Sequence, residues 1–130
     1  VRNISLRRVT SPTADGGVAV LACSEWTDSG IDVAEGCAYD VRVEGRWGSV
    51  MHQSVGPGGT EKIAADGFPL PGAPEYGLIG RIGADGPPFL IGDSATLTAE
   101  GTGRLYLRMN DGYVDDSVGS LRIHIQDAGP

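Results

Sequence analysis

The chain has 130 residues, enough for a single hydrophobic core, since domains commonly run about 100–200 residues. Ten Lys and Arg stand against 17 Asp and Glu, a formal charge of -7. The nine arginines are scattered rather than striped, which excludes nucleic acid as a partner because a phosphate backbone demands clustered cations. No apolar run reaches the roughly 20 residues of a membrane span, and the glycines follow no three-residue period, which excludes collagen.

The chain starts at Val1 with no Met, basic segment or apolar leader, and reads as one domain, residues 1–130, excised from a longer protein. Ile4–Val9 and Val18–Ala22 are its first candidate strands. Cys23 and Cys37 are either a disulfide, worth about 3 kcal/mol for a loop of about 15 residues, or two unpaired, buried thiols. Neither sits in a C-x-x-C, and His52 and His124 lie far off in sequence, so zinc is excluded.

Gly30–Val33 is a weak strand and Ala38–Glu44 a strong one. In the latter Tyr39, Val41 and Val43 share one face, and Asp40, Arg42 and Glu44 the other. From Ser54 to Glu75 the chain is too rich in Pro and Gly for central strands. A connection of roughly 20 residues is long enough to suggest function or loose order. Leu78–Ile82, Phe89–Ile91 and Ala95–Thr98 follow as short strands.

Two clear alternations close the chain. Leu105, Leu107 and Met109 face inward from Gly103–Met109, and Leu121, Ile123 and Ile125 from Ser120–Gln126, where His124 faces outward as a surface histidine. These two strands are expected to be neighbours on either side of their connector. No window carries a helical apolar spacing uninterrupted by Gly or Pro. The pattern predicts an all-β, antiparallel sandwich or barrel.

The connector, Asn110-Asp111-Gly112-Tyr113-Val114-Asp115-Asp116-Ser117-Val118-Gly119, concentrates the acids. Carboxylates, an amide, a hydroxyl and backbone carbonyls suit a hard cation such as Ca²⁺, which takes about 6–8 oxygen ligands at about 2.3–2.6 Å. The spacing is not that of an EF-hand. Asn, Asp, Gly and Ser are also ordinary turn formers, so composition alone favours a solvated acidic turn. Catalysis finds no support. A glycosidase needs two carboxylates about 5–9.5 Å apart across a cleft. Ser24, Ser49 and Ser54, with His52 or His124, lack a nucleophile elbow. The domain is not expected to be an enzyme.

Four blocks, in order, resemble the LecA-like (PA-IL-like) galactose-binding lectin domain. Trp26-Thr27-Asp28-Ser29-Gly30-Ile31-Asp32-Val33 with Glu35-Gly36 is similar to its W-x-D-T-G-I-x-V-x-x-G segment. Val43-Glu44-Gly45-Arg46-Trp47 and Gly56-Pro57-Gly58-Gly59 resemble its A-x-G-x-W…G-P-x-G. Tyr76-Gly77-Leu78-Ile79-Gly80-Arg81-Ile82-Gly83, Phe89 and Ile91-Gly92 resemble x-A-L-I-G-x-I-G…F-x-I-G. The last block is Tyr106 to Asp111, the acidic loop, and Gly119 to Ile125.

The resemblance implies a small jelly-roll-like β-sandwich and a Ca²⁺-dependent carbohydrate-binding module for vicinal hydroxyls of a neutral sugar, with galactose as the candidate. Carried over by position, Asp111 is the first carboxylate ligand. The second pair is Asp115 and Asp116 by residue type, or Asp116 and Ser117 by loop length. Backbone carbonyls are implied at Tyr113 or Val114 and near Ser49. Asp66, Asp116 and Trp47 are the candidates for contacting the sugar, with Trp47 alternatively packing at the rim of the sandwich. The His and Gln that touch the family's sugar have no counterpart in Thr60 to Phe68, which leaves sugar identity open. A structural or protein-interaction sandwich, with or without stabilising Ca²⁺, is the alternative. An extracellular or cell-surface setting is favoured, and an oligomer is compatible with the sequence.

Overall fold

The computed structural model describes residues 17–51, 54–113 and 117–128. The expected strand Ile4–Val9 lies outside them, as do His52 and Gln53. Eight strands form: β1 Val18–Leu21, β2 Thr27–Val33, β3 Ala38–Ser49, β4 Leu78–Ile82, β5 Phe89–Leu90, β6 Thr96–Thr98, β7 Gly103–Met109 and β8 Ser117–Asp127. They pair antiparallel in two four-stranded sheets, β1-β8-β3-β6 and β2-β7-β4-β5. The chain is an all-β sandwich. Among the described residues there is no helix, and hence none long and apolar enough to cross a membrane.

The core follows from the period of two. Val20, Tyr39, Val41, Leu121, Ile123 and Ile125 of the first sheet meet Ile31, Val33, Leu78, Leu105, Leu107 and Met109 of the second in one buried cluster. Removing such side chains from water at about 25 cal/mol per Å² is the main force holding two sheets face to face.

Several expectations are corrected. β7 and β8 are not neighbours: β7 lies between β2 and β4, and β8 between β1 and β3. Alternation identifies the buried face of a strand but not its partner, and here the two buried faces look at each other across the core. The acidic connector therefore crosses from one sheet to the other.

β3 runs five residues beyond Glu44, paired without a break from Tyr39↔Asp127 to Ser49↔Ser117. Gly45, at φ 102°, permits this, because a Cβ there would lie 2.7 Å from Ser120 O. β2 begins at Thr27 and carries a register shift between Asp28 and Asp32 around Gly30, at φ 84°. Cys23 and Cys37 are unpaired and exposed, so neither the disulfide nor the buried-thiol reading holds.

The Pro- and Gly-rich excursion forms no strand, yet it folds back on itself. Backbone bonds run from Glu75 N to Lys62 O, Ala64 N to Ala73 O and Gly72 N to Ala64 O, and Ala64 and Ala73 are buried.

Candidate functional site at the sheet-to-sheet crossover

The crossover begins where β7 ends. Asn110 is fully buried, and its side chain is committed to backbone rather than held ready as a ligand. Its Oδ1 accepts from Leu70 N at 3.0 Å, while Nδ2 donates to Leu70 O at 3.0 Å and Pro74 O at 3.1 Å. Its own backbone pairs with Gly77 O and Tyr76 N. One amide thus fastens the excursion to the root of the acidic loop.

Asp111 is 6 % exposed. Its Oδ2 accepts from the Ser117 hydroxyl at 2.7 Å, and its Oδ1 from Tyr113 N at 3.2 Å. Ser117 opens β8 directly opposite Ser49, the last residue of β3, and both serines are buried. The excursion closes over the far side: a Cβ on Gly112 would lie 3.6 Å from both Gly67 O and Phe68 Cδ1. Asp66 precedes that contact and is exposed.

The fold therefore brings Asp111, Tyr113, Ser117, Ser49 and the turn carrying Asp66 to one end of the sandwich. Val114, Asp115 and Asp116 lie outside the described residues. Trp47 does not belong to the group. It is 1 % exposed within the core, and its Nε1 donates to Tyr76 O at 2.8 Å. Trp47 packs in the core, neither open to a sugar face nor at the rim.

Among the described residues, no three His, Cys, Asp or Glu side chains converge. The oxygen set that remains, one buried carboxylate, two serine hydroxyls and adjacent carbonyls, fits a hard cation in chemical kind. Each carboxylate oxygen that accepts one hydrogen bond retains a further lone pair.

A second assembly escaped the sequence reading. Trp26, Arg81 and Arg108 come together on the outer face of the β2-β7-β4-β5 sheet, so these arginines are gathered rather than scattered. The Arg81 guanidinium lies 4.5 Å from the Trp26 ring centroid and 5.8 Å from that of Tyr106, and Arg108 lies 5.7 Å from Trp26. Arg108 is buried, and its Nε and Nη2 donate to Met109 O and Asp111 O, both at 3.0 Å. Burial pulls its pKa down, with Glu25 and Asp111 opposing. A cleft of about 370 Å³ opens here, and Asp111 and Gly112 form part of its wall. The signal was present in the outward positions of β4 and β7, which carry Arg81, Arg104, Tyr106 and Arg108.

The chain shares this β-sandwich fold with a lectin domain of known structure. The chain is similar to the PllA-like lectin that forms the N-terminal domain of EclA, with a TM-score of 0.62 and 20 % identity, over 85 % of this chain and 93 % of that one. No family model matches the sequence. No curated protein matches it either.

Proposed function

We propose that this domain is a non-enzymatic carbohydrate-binding module of the LecA-like kind, taking a neutral sugar at the mouth of the Asn110–Gly119 loop with the help of Ca²⁺. The observation that carries the reading is Asp111. Its buried carboxylate is hydrogen-bonded to neutral donors and makes no direct ion pair among the described residues, with Arg108 acting on it only at longer range. Even Arg108 binds its backbone carbonyl rather than its carboxylate. A buried anion is costly until a cation joins it. The lectin fold of the EclA domain supports the same reading.

Asp111 and Ser117 would hold the ion, joined by Asp116 and Asp115 and by carbonyls at Tyr113 or Val114 and near Ser49. When bound, Ca²⁺ supplies strong attraction for two vicinal hydroxyls. Asp66, on the turn packed against Gly112, accepts a hydroxyl proton in a charge-assisted bond. One shallow site of this kind gives a Kd on the order of 0.1–1 mM. Useful retention on a glycan surface then comes from multivalency, in a longer chain or an oligomer.

A glycan array with and without EDTA, followed by NMR titration of neutral monosaccharides including galactose, tests the reading. The expected result is Ca²⁺-dependent retention and movement of the Asp111–Tyr113 and Ser117 resonances. If Ca²⁺ binds but no sugar moves those resonances, the domain is a structural or interaction module instead.

A further inference from the structure

We propose that the cleft on the outer face of the β2-β7-β4-β5 sheet is an anion subsite that receives a carboxylate carried by the ligand, as in a uronic-acid residue of a glycan. That the cleft takes a carboxylate stands on the cleft itself; that a sugar carries the carboxylate rests on the carbohydrate reading above.

Arg108 is only 8 % exposed and spends two of its donors on Met109 O and Asp111 O. That leaves Nη1 and one Nη2 hydrogen uncommitted among the described residues. Arg81 stacks on Trp26, and its Nε is buried with no hydrogen-bond partner. A buried donor left unpaired incurs the full desolvation penalty, so native proteins keep few of them without a use.

Neither guanidinium makes a direct ion pair among the described residues, Glu25 and Asp111 acting on Arg108 only at longer range, whereas Arg104 on the same outer face is tied to both Asp28 and Asp32. The face holds one neutralised arginine and two poised ones, and the poised pair lines the cleft.

The chemistry of the occupant follows. A guanidinium matches a planar carboxylate through parallel N–H bonds, and stacking on Trp26 fixes Arg81 beforehand, so less side-chain freedom is lost on binding. Glu25 and Asp111 also line the cleft. Their charges oppose a dense polyanion while leaving room for a single carboxylate placed between the two arginines. The cleft adjoins the proposed sugar site through Asp111 and Gly112, so a neutral residue at the loop and an acidic neighbour in the cleft form one continuous ligand.

The test is an NMR titration at fixed ionic strength with Ca²⁺ present, following the Trp26 indole and arginine Nε–H signals. The probes are acetate, galacturonate and galactose, with sodium chloride as the control anion. The proteins are the wild type, Arg81→Gln and Glu25→Gln, each checked for retained β circular dichroism. Galacturonate is expected to shift the Trp26 and arginine signals and to bind about tenfold more tightly than galactose. Acetate is expected to shift the same signals. Arg81→Gln should remove the advantage of galacturonate and leave any galactose response untouched.

Equal responses to galacturonate and galactose, with acetate acting like chloride, overturn the subsite even if galactose binds at the loop. Carboxylate binding with no neutral-sugar response sinks the loop reading instead and leaves the subsite standing. A response confined to Glu25→Gln makes Glu25 the resident counter-ion and overturns the proposal.

Discussion

The Ser117 hydroxyl donates a 2.7 Å hydrogen bond to the Asp111 carboxylate, and the two residues belong to the ends of different sheets. Asp111 lies two residues beyond Met109, the last residue of β7, and Ser117 is the first residue of β8. The bond therefore closes the sandwich at one end and fixes a buried carboxylate beside the residues of the candidate site.

The neighbouring residue bears the mechanical load. Asn110→Ala leaves the Leu70 N–H and the Leu70 and Pro74 carbonyls without their partner. The expected loss is about 2–4 kcal/mol, from unsatisfied buried groups together with a small cavity. Asn110→Asp should cost at least as much, because it turns a carboxylate toward two carbonyl oxygens. Urea denaturation checks this, with the midpoint falling and the slope unchanged. A midpoint within error of wild type for both variants would remove the latch from the account.

Acid sensitivity should be located at two exposed carboxylates, Asp28 on β2 and Glu44 on β3. The Gly30 N–H first, then Arg104, hold the Asp28 carboxyl below the usual carboxylate range. A carboxyl whose folded pKa is depressed contributes stability that is complete above its unfolded value, about 3.9, and is lost as pH falls through the lower folded value. Glu44, beside His124 and Arg42, moves the same way. Stability should thus decline below about pH 4. Asp28→Asn should flatten that decline by lowering the neutral-pH value to the same small extent, since the pair is well exposed and screened, and should leave the value at pH 3 nearly unchanged. Denaturation curves at pH 3 to 7 supply the comparison.

The strands of the sandwich were legible because each carries its own period. Leu105, Leu107 and Met109, like Leu121, Ile123 and Ile125, declare a buried face without reference to any other segment. Partnership is not local, which is why β7 and β8 read as neighbours while lying in opposite sheets. Trp47 looked accessible because Gly45 reads as the end of a strand, whereas its positive φ carries the strand onward. Asp111 was visible in an acidic run, but the role of Asn110 depends on Leu70 and Pro74, far away in sequence. The Trp26, Arg81 and Arg108 assembly draws one residue from each of three separate segments, and no spacing rule reports that.

Backbone geometry at Gly119 should be unforgiving. The residue sits at φ 87°, and a Cβ would come within 2.7 Å of Arg46 O and 2.9 Å of Trp47 Cα. Gly119→Ala therefore combines left-handed strain with a backbone clash inside the β3–β8 pairing, for an expected cost of about 2–4 kcal/mol. Gly83, at φ 81° with open space around its Cβ position, is the control. Gly83→Ala should cost about 1 kcal/mol, from the dihedral alone. Equal losses in thermal denaturation would show that the clash is relieved by movement of β3.

Calcium should act as a stabiliser, and its effect should run through Asp111. A ligand that binds only the folded state adds RT ln(1 + [L]/Kd), about 2.7 kcal/mol at a hundredfold excess over Kd. In a domain of this size that corresponds to a rise in Tm of roughly 10 °C, reversed by EDTA. Asp111→Asn keeps the size of the side chain and removes its charge, so it should abolish the Ca²⁺ response. In EDTA it should be nearly as stable as wild type, because the cost of burying a charge offsets the hydrogen bonds lost with it. Ser117→Ala should behave differently. It removes one of the two hydrogen bonds to the carboxylate, at a cost of about 1.5–3 kcal/mol in EDTA. Added Ca²⁺ should recover part of that loss, since the ion neutralises the charge that the hydroxyl had stabilised. A calcium-insensitive wild type would refute the metal assignment, and an Asp111→Asn variant that still responds would move the ion elsewhere.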